Sequence, residues 1–224
     1  MRHPLSGILS LLYPAKCAAC RRSGAWLCAE CLQRCTPFGG ARCAKCGSAR
    51  GSYDCSTCRV YIRNLDGLRA AFEYAGPVRP LVHAFKYRNM SGAAEWMAGQ
   101  MIPTELTSAR EDDVLVPVPM HPSRQRNRGY NQAAALCGAI RARTGLPMAL
   151  ALQRAHLREA QARLSAEQRW INVHGAFAPG ASAIEGRVLL IDDVCTTGAT
   201  LEECARVLKL MGAAQVTALV FARA

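Results

Sequence analysis

Residues Val188 to Thr200 read V-L-L-I-D-D-V-C-T-T-G-A-T and carry the densest chemistry in the chain. Asp192 and Asp193 are adjacent carboxylates, acceptors suited to sugar hydroxyls and to Mg²⁺. Thr196, Thr197 and Thr200 offer hydroxyls around Gly198, just where a helix would begin. The first N–H groups of a helix lack internal partners and sit at the positive end of its dipole, so such a turn suits a phosphate. The implied ligand is a ribose with a phosphate at one end and a cation-dependent group at the other. A Walker loop does not fit, because no Gly-Lys-Ser/Thr follows the turn.

Two elements must hold these groups in place. Val188 to Ile191 is a continuous apolar run preceded by Gly186, which predicts a fully buried strand with the acid pair at its carboxyl end. Gly198 permits the positive φ of a tight turn. From Ala199 the spacing of Leu201, Cys204, Ala205, Leu208 and Met211 predicts a helix with one apolar face. The competing reading is a buried strand that merely ends in solvated acids, followed by a capped helix.

A second set of reactive side chains lies near the N-terminus as four Cys-x-x-Cys pairs: Cys17/Cys20, Cys28/Cys31, Cys43/Cys46 and Cys55/Cys58. That spacing brings two sulfurs to one metal ion, and soft thiolates in tetrahedral sets of four select Zn²⁺. Two structural four-cysteine zinc sites are expected. Consecutive pairing is the simpler arrangement; cross-braced pairing satisfies the same spacing. A disulfide framework would need an oxidising compartment, for which there is no export signal. Cys35 is left as a spare thiol. The segment has few large apolar residues, so metal must supply much of its folding free energy. It is also basic, with nine lysines and arginines from Arg2 to Arg59 against Glu30 and Asp54. Such a surface suits nucleic acid or packing on the next domain equally.

At 224 residues and half apolar composition, the chain can build one medium domain and a small appendage. A boundary is expected near Tyr61 to Gly67, giving a zinc-ribbon domain over 1–62 and a larger domain over 63–224. The formal charge of +12 points to phosphates or nucleic acid; two four-thiolate zinc sites would bring it to about +8. No run reaches the length of a membrane span. Leu5 to Leu12 is too short and broken for a signal peptide and reads as a docking helix, so a cytoplasmic location is expected.

Between these two sets, Leu68 to Tyr74 predicts a strand, Val78 to Tyr87 a helix with Leu81, Val82 and Phe85 on one face, and Gly92 to Ile102 a second helix. Asp113 to Pro119 is a strand ended by prolines. It opens onto Arg124, Arg126 and Arg128, three arginines at alternate positions before Gly129 that read as a bidentate phosphate clamp; the competing reading is a solvated basic turn. Ala133 to Thr144 is helical. Leu152 to Ile171, with Leu157, Leu164 and Ile171 spaced by sevens, reads as a helix or as a segment that orders on binding. Gln215 to Ala222 supplies a last strand.

The Val188–Thr200 stretch resembles the phosphoribosyl-pyrophosphate (PRPP) loop of type I phosphoribosyltransferases. Together with V-P-V-P, R-x-x-x-R-G-Y-N-Q (Arg124 to Gln132), Gln161, Leu164-Ser165, Arg169, Asn172 and the cysteine-rich start, it resembles the ComF/GntX-like competence family over nearly the whole chain. One departure is Arg158, where that family's pattern leads us to expect threonine. The resemblance implies a Rossmann-like α/β phosphoribosyltransferase sheet with the ligand at the carboxyl ends of its strands. It implies Asp192 and Asp193 on the ribose hydroxyls, and Thr196, Thr197, Gly198, Ala199 and Thr200 around the 5′-phosphate. It further implies Arg124 and Arg128 near a Mg²⁺-bound pyrophosphate, with the Arg154–Arg169 segment as a lid. The partners it implies are PRPP, single-stranded DNA and other DNA-uptake proteins. Two function classes follow: a phosphoribosyl-transferring enzyme, or a non-catalytic protein that handles single-stranded DNA and keeps the PRPP fold as a sensor or platform.

Overall fold

The computed structural model describes residues 15–48, 55–87, 90, 92–102, 113–154 and 166–224. The expected docking helix at Leu5 to Leu12 lies outside them.

Six strands form: β1 (Gly67–Glu73), β2 (Asp113–Pro117), β3 (Leu152–Arg154), β4 (Phe177–Pro179), β5 (Gly186–Cys195) and β6 (Ala213–Arg223). Eight helices are described: α1 (Ala29–Gln33), α2 (Ser56–Tyr61), α3 (Val78–Tyr87), α4 (Ala93–Met101), α5 (Pro122–Arg128), α6 (Gln132–Thr144), α7 (Ala166–Val173) and α8 (Ala199–Leu210). The main sheet has the order β1-β6-β5-β2 and every pairing in it is parallel. A parallel sheet must be covered on both faces, and the central strands accordingly carry buried apolar runs, residues 188–191 of β5 and 218–222 of β6. Side chains alternate along a strand, so Leu189 and Ile191 enter one core with Phe85, Met97, Leu136 and Phe221. Val188 and Leu190 enter the opposite core with Leu201, Leu208, Val216 and Val220. The α/β class with a small cysteine-rich N-terminal module is the one the sequence predicts.

The cysteine module packs on both faces. Cys17, Leu27 and Cys31 join the first core, and Cys46 joins the second. The backbone N–H of Leu68 donates to Ala44 O at 3.0 Å, which staples the second knuckle to β1.

Three sequence expectations change in detail. The β5 strand runs through Cys195, so the acid pair lies on the strand and not after it. The arginines read as a clamp or as a solvated turn sit on α5, because Pro122 opens a helix at its first position and His121 caps it through Nδ1 to the Ser123 N–H at 3.2 Å. Leu152 to Ile171 is no single helix: Leu152–Arg154 pairs antiparallel with β4, and Ala166–Val173 is helical. Leu157, Arg158, Gln161, Leu164 and Ser165 lie outside the described residues.

The Asn131 side chain ties the start of α6 to the residue that follows β2. Asn131 Oδ1 accepts from the Ala133 N–H at 3.0 Å, and its Nδ2 donates to Val118 O at 3.1 Å. Asn131→Ala is expected to cost about 1 kcal/mol for the cap alone. For a chain of this size that is a fall of about 2–4 °C in thermal midpoint, measurable by calorimetry.

Candidate functional site

A cavity of about 550 Å³ opens at the carboxyl ends of β2 and β5, and the acid pair, the Thr-rich turn and Arg124 and Arg128 of α5 all line it. Asp193 is 5% exposed. Its Oδ2 lies 3.1 Å from Lys86 Nζ, an ion pair reaching across from the last turn of α3. Asp192 Oδ1 accepts from the Asp193 backbone N–H at 2.8 Å. Burial, and then the neighbouring Asp193 charge, push the Asp192 carboxyl up to about 7, with Lys86 pulling the other way. Burial works against the Lys86 charge, but Asp193 and Asp192 outweigh it and hold its ammonium above the usual lysine range.

The turn has the predicted geometry. Gly198 sits at φ 88°, a left-handed conformation in which a larger residue would be strained, and α8 begins at Ala199. Thr197 Oγ1 accepts from the Ala199 N–H at 3.4 Å. Thr196 is exposed, and Thr197 and Thr200 are half-buried.

Across the cavity, Arg124 and Arg128 stand one helical turn apart on α5 and so share a face. Arg126, midway between them, does not line the cavity. Arg128 is fixed by three contacts: to Tyr87 Oη at 3.1 Å, to Gln132 Oε1 at 3.3 Å and over the Tyr87 ring at 4.9 Å. Arg154 opens the segment read as a lid, whose residues 155–165 lie outside those described. It is anchored on β3 with its guanidinium 5.1 Å above the Phe177 ring, and its buried Nε has no hydrogen-bond partner among the described residues. Burial, then the nearby Arg124 charge, lower its pKa. Gln132, 2% exposed, also lines the cavity, and its Nε2 has no partner among the described residues. Buried donors left over in this way need an acceptor, and an anion lying against Arg124, Arg128 and Arg154 would supply it.

Sequence reasoning missed Lys86 and Gln132. The periodicity of α3 places Lys86 off the apolar face beside Phe85, yet nothing local predicts that it meets Asp193. Gln132 stood within the quoted Arg124–Gln132 motif, and its burial was the missing signal.

The cysteines assemble into two groups, Cys17/Cys20/Cys28/Cys31 and Cys43/Cys46/Cys55/Cys58, with the four sulfurs of each within 4.8 Å of one another. Nearest Sγ–Sγ contacts are 3.5 and 3.6 Å. A tetrahedral ion with metal–sulfur bonds of about 2.3 Å places its sulfurs roughly 3.8 Å apart, whereas a disulfide needs about 2.05 Å. Consecutive pairing into two metal-sized thiol sets is therefore what the chain adopts, and the donor set fits zinc. The spare thiol, Cys35, is buried and donates to Cys31 O at 3.4 Å.

No family model matches the sequence. Competence protein F of Haemophilus influenzae is 29% identical over 209 residues, covering 88% of this chain and 90% of that protein. The DNA utilization protein YhgH of Escherichia coli is 29% identical over 219 residues, covering 92% of this chain and 96% of its own. The resemblance to the ComF competence family holds. Among solved structures, orotate phosphoribosyltransferase from Aeropyrum pernix superposes with a TM-score of 0.36 at 19% identity, covering 69% of this chain and 68% of that one. Among the described residues of this ComF-like chain, no helix is long and apolar enough to cross a membrane.

Proposed function

We propose that the chain is a PRPP-binding, phosphoribosyltransferase-like protein of DNA uptake or nucleotide salvage, acting in the cytoplasm. Its division is at 62/63, with structural zinc in both cysteine groups and Mg²⁺ entering with the ligand. The observation that carries this is the convergence of an acid pair, a Thr-rich helix N-terminus and an arginine wall on one cavity. The names of its relatives supply the link to DNA uptake.

On this reading Asp192 and Asp193 accept hydrogen bonds from the ribose 2′- and 3′-hydroxyls. The Thr196–Thr200 turn takes the 5′-phosphate through N–H and hydroxyl donors. Arg124, Arg128 and Arg154, with Gln132, face the pyrophosphate. Mg²⁺, when bound with the ligand, adds charge neutralisation on the departing pyrophosphate. Loss of that group from C1 leaves oxocarbenium character on the ribose, so rate enhancement comes from orientation and from cations preorganised on the leaving group.

The reading is tested by titrating zinc-loaded protein with Mg²⁺-PRPP in a calorimeter. Saturable binding at one equivalent is expected. Its absence would sink the reading and shift the search to the second function, single-stranded DNA handling.

A pH dependence follows from Asp192. The ionised carboxylate is the stronger acceptor, and its fraction rises about tenfold from pH 6 to pH 8 for a group titrating at about 7. PRPP affinity should rise accordingly. Asp192→Asn should remove that rise and leave only the gentler dependence from the phosphate's own ionisation near pH 6. An unchanged profile in the variant would refute the assignment.

A further inference from the structure

We propose that Arg223 is a positioning residue of the Thr196–Thr200 turn, tying it to the Cys43/Cys46/Cys55/Cys58 group, so that metal loading there sets the turn's hold on an anion. The anion part rests on the reading of the turn given above; the tie does not.

One guanidinium joins the two sites. Arg223 Nε donates to the carbonyl of Cys46 at 3.2 Å. Its Nη1 donates to the carbonyls of Thr196 and, at 3.5 Å, Cys195. The strand register that pairs Cys195 with Arg223 puts the side chain there. A peptide unit is planar and trans, so its C=O and the following N–H point opposite ways. Holding Thr196 O on the Arg223 side therefore aims the Thr197 N–H to the other side, and both threonines line the cavity.

Two further contacts run in parallel. The Ile62 N–H donates to Cys58 O at 3.2 Å, and Ile62 Cδ1 lies 3.4 Å from where a Cβ on Gly198 would stand. Glu202, buried in the first turn of α8, accepts from the backbone N–H groups of Arg63, Asn64 and Leu65 at 3.0, 2.9 and 3.0 Å. The run from Cys58 to Leu65 is thus docked along the turn and the start of its helix. The Cys17/Cys20/Cys28/Cys31 group packs into the opposite core and provides an internal control.

The test is amide hydrogen exchange over Thr197 to Leu201 in the full, zinc-loaded chain. Arg223→Met should raise exchange there on the order of tenfold, as expected for losing one hydrogen bond to a charged group, with zinc content unchanged. Arg223→Lys should restore part of the protection. Cys46→Ser should raise turn exchange in the native background and, since the Ile62 and Glu202 contacts run in parallel, add only part of that rise to Arg223→Met, while Cys17→Ser should leave the turn alone. Unchanged turn exchange in Arg223→Met overturns the tie. So does a rise spread evenly through β5 and β6, or a Cys17→Ser effect equal to that of Cys46→Ser. Mg²⁺-PRPP affinity should fall about tenfold in Arg223→Met. If the native protein binds no PRPP, the anion part fails while exchange still decides the tie.

Discussion

The double variant Asp192→Asn/Asp193→Asn is expected to lose Mg²⁺-PRPP affinity by a hundredfold or more, while inorganic pyrophosphate binds as well as before or better. Hydrogen bonds to charged groups contribute about 1.5–3 kcal/mol each, so losing two carboxylate acceptors predicts about that loss. Charge alone predicts the reverse for a simple anion. Without the acids, Lys86 loses the partner it holds at 3.1 Å, and the cavity keeps Arg124, Arg128 and Arg154 unopposed. Parallel calorimetric titrations with the two ligands therefore separate the hydroxyl assignment from general damage. Equal losses for both ligands would mean a collapsed site, and unchanged PRPP affinity would mean the acids do not touch the sugar.

Stability gives an independent check on that experiment. The folded Asp192 carboxyl titrates near 7, above its unfolded value near 3.9. The unfolded state therefore releases its proton first, and this group subtracts stability progressively as pH rises from about 4 through 7. Asn at 192 removes that cost, so above pH 7 it should not lower the thermal midpoint through this group.

Much of the site was legible because its parts are local in sequence. The strand-to-turn-to-helix unit around Gly198 needs only an apolar run, a glycine and a helical stripe, and each is visible within a few residues. The four Cys-x-x-Cys pairs are equally local, and their consecutive grouping follows the shortest chain path. Long-range pairings left no such trace. Lys86 meets Asp193, Glu202 collects the Arg63–Leu65 N–H groups and Arg223 reaches Cys46 only because the β1-β6-β5-β2 order brings their elements together. The basic stretch misled for a different reason. Alternate arginines suggested one clamp of three, but Pro122 and the His121 cap give a helix, which separates Arg126 from Arg124 and Arg128. The short β3–β4 pair escaped because three-residue strands carry too little periodicity to register.

Removing both metal ions is expected to cost the most of any single perturbation. The cysteine-rich segment places only a few large side chains in the two cores, Leu27 and Ile62 among them, so apolar burial alone does not order it. A structural zinc site can contribute on the order of 10 kcal/mol to folding, comparable to the whole stability of a typical domain. Metal loss should therefore release the knuckles from both faces of the sheet and expose the apolar surface they cover on β1. At about 2–4 °C per kcal/mol, the thermal midpoint should drop by tens of degrees on chelation and recover when two equivalents of zinc are restored. Elemental analysis should give two zinc ions for the native chain and one for Cys28→Ser. Reductant should leave the loaded protein unaffected, since the Sγ–Sγ contacts of 3.5 to 3.6 Å are not bonds. A midpoint that moves by only a few degrees on chelation would mean that the module folds by packing, and the metal would then be incidental to the fold.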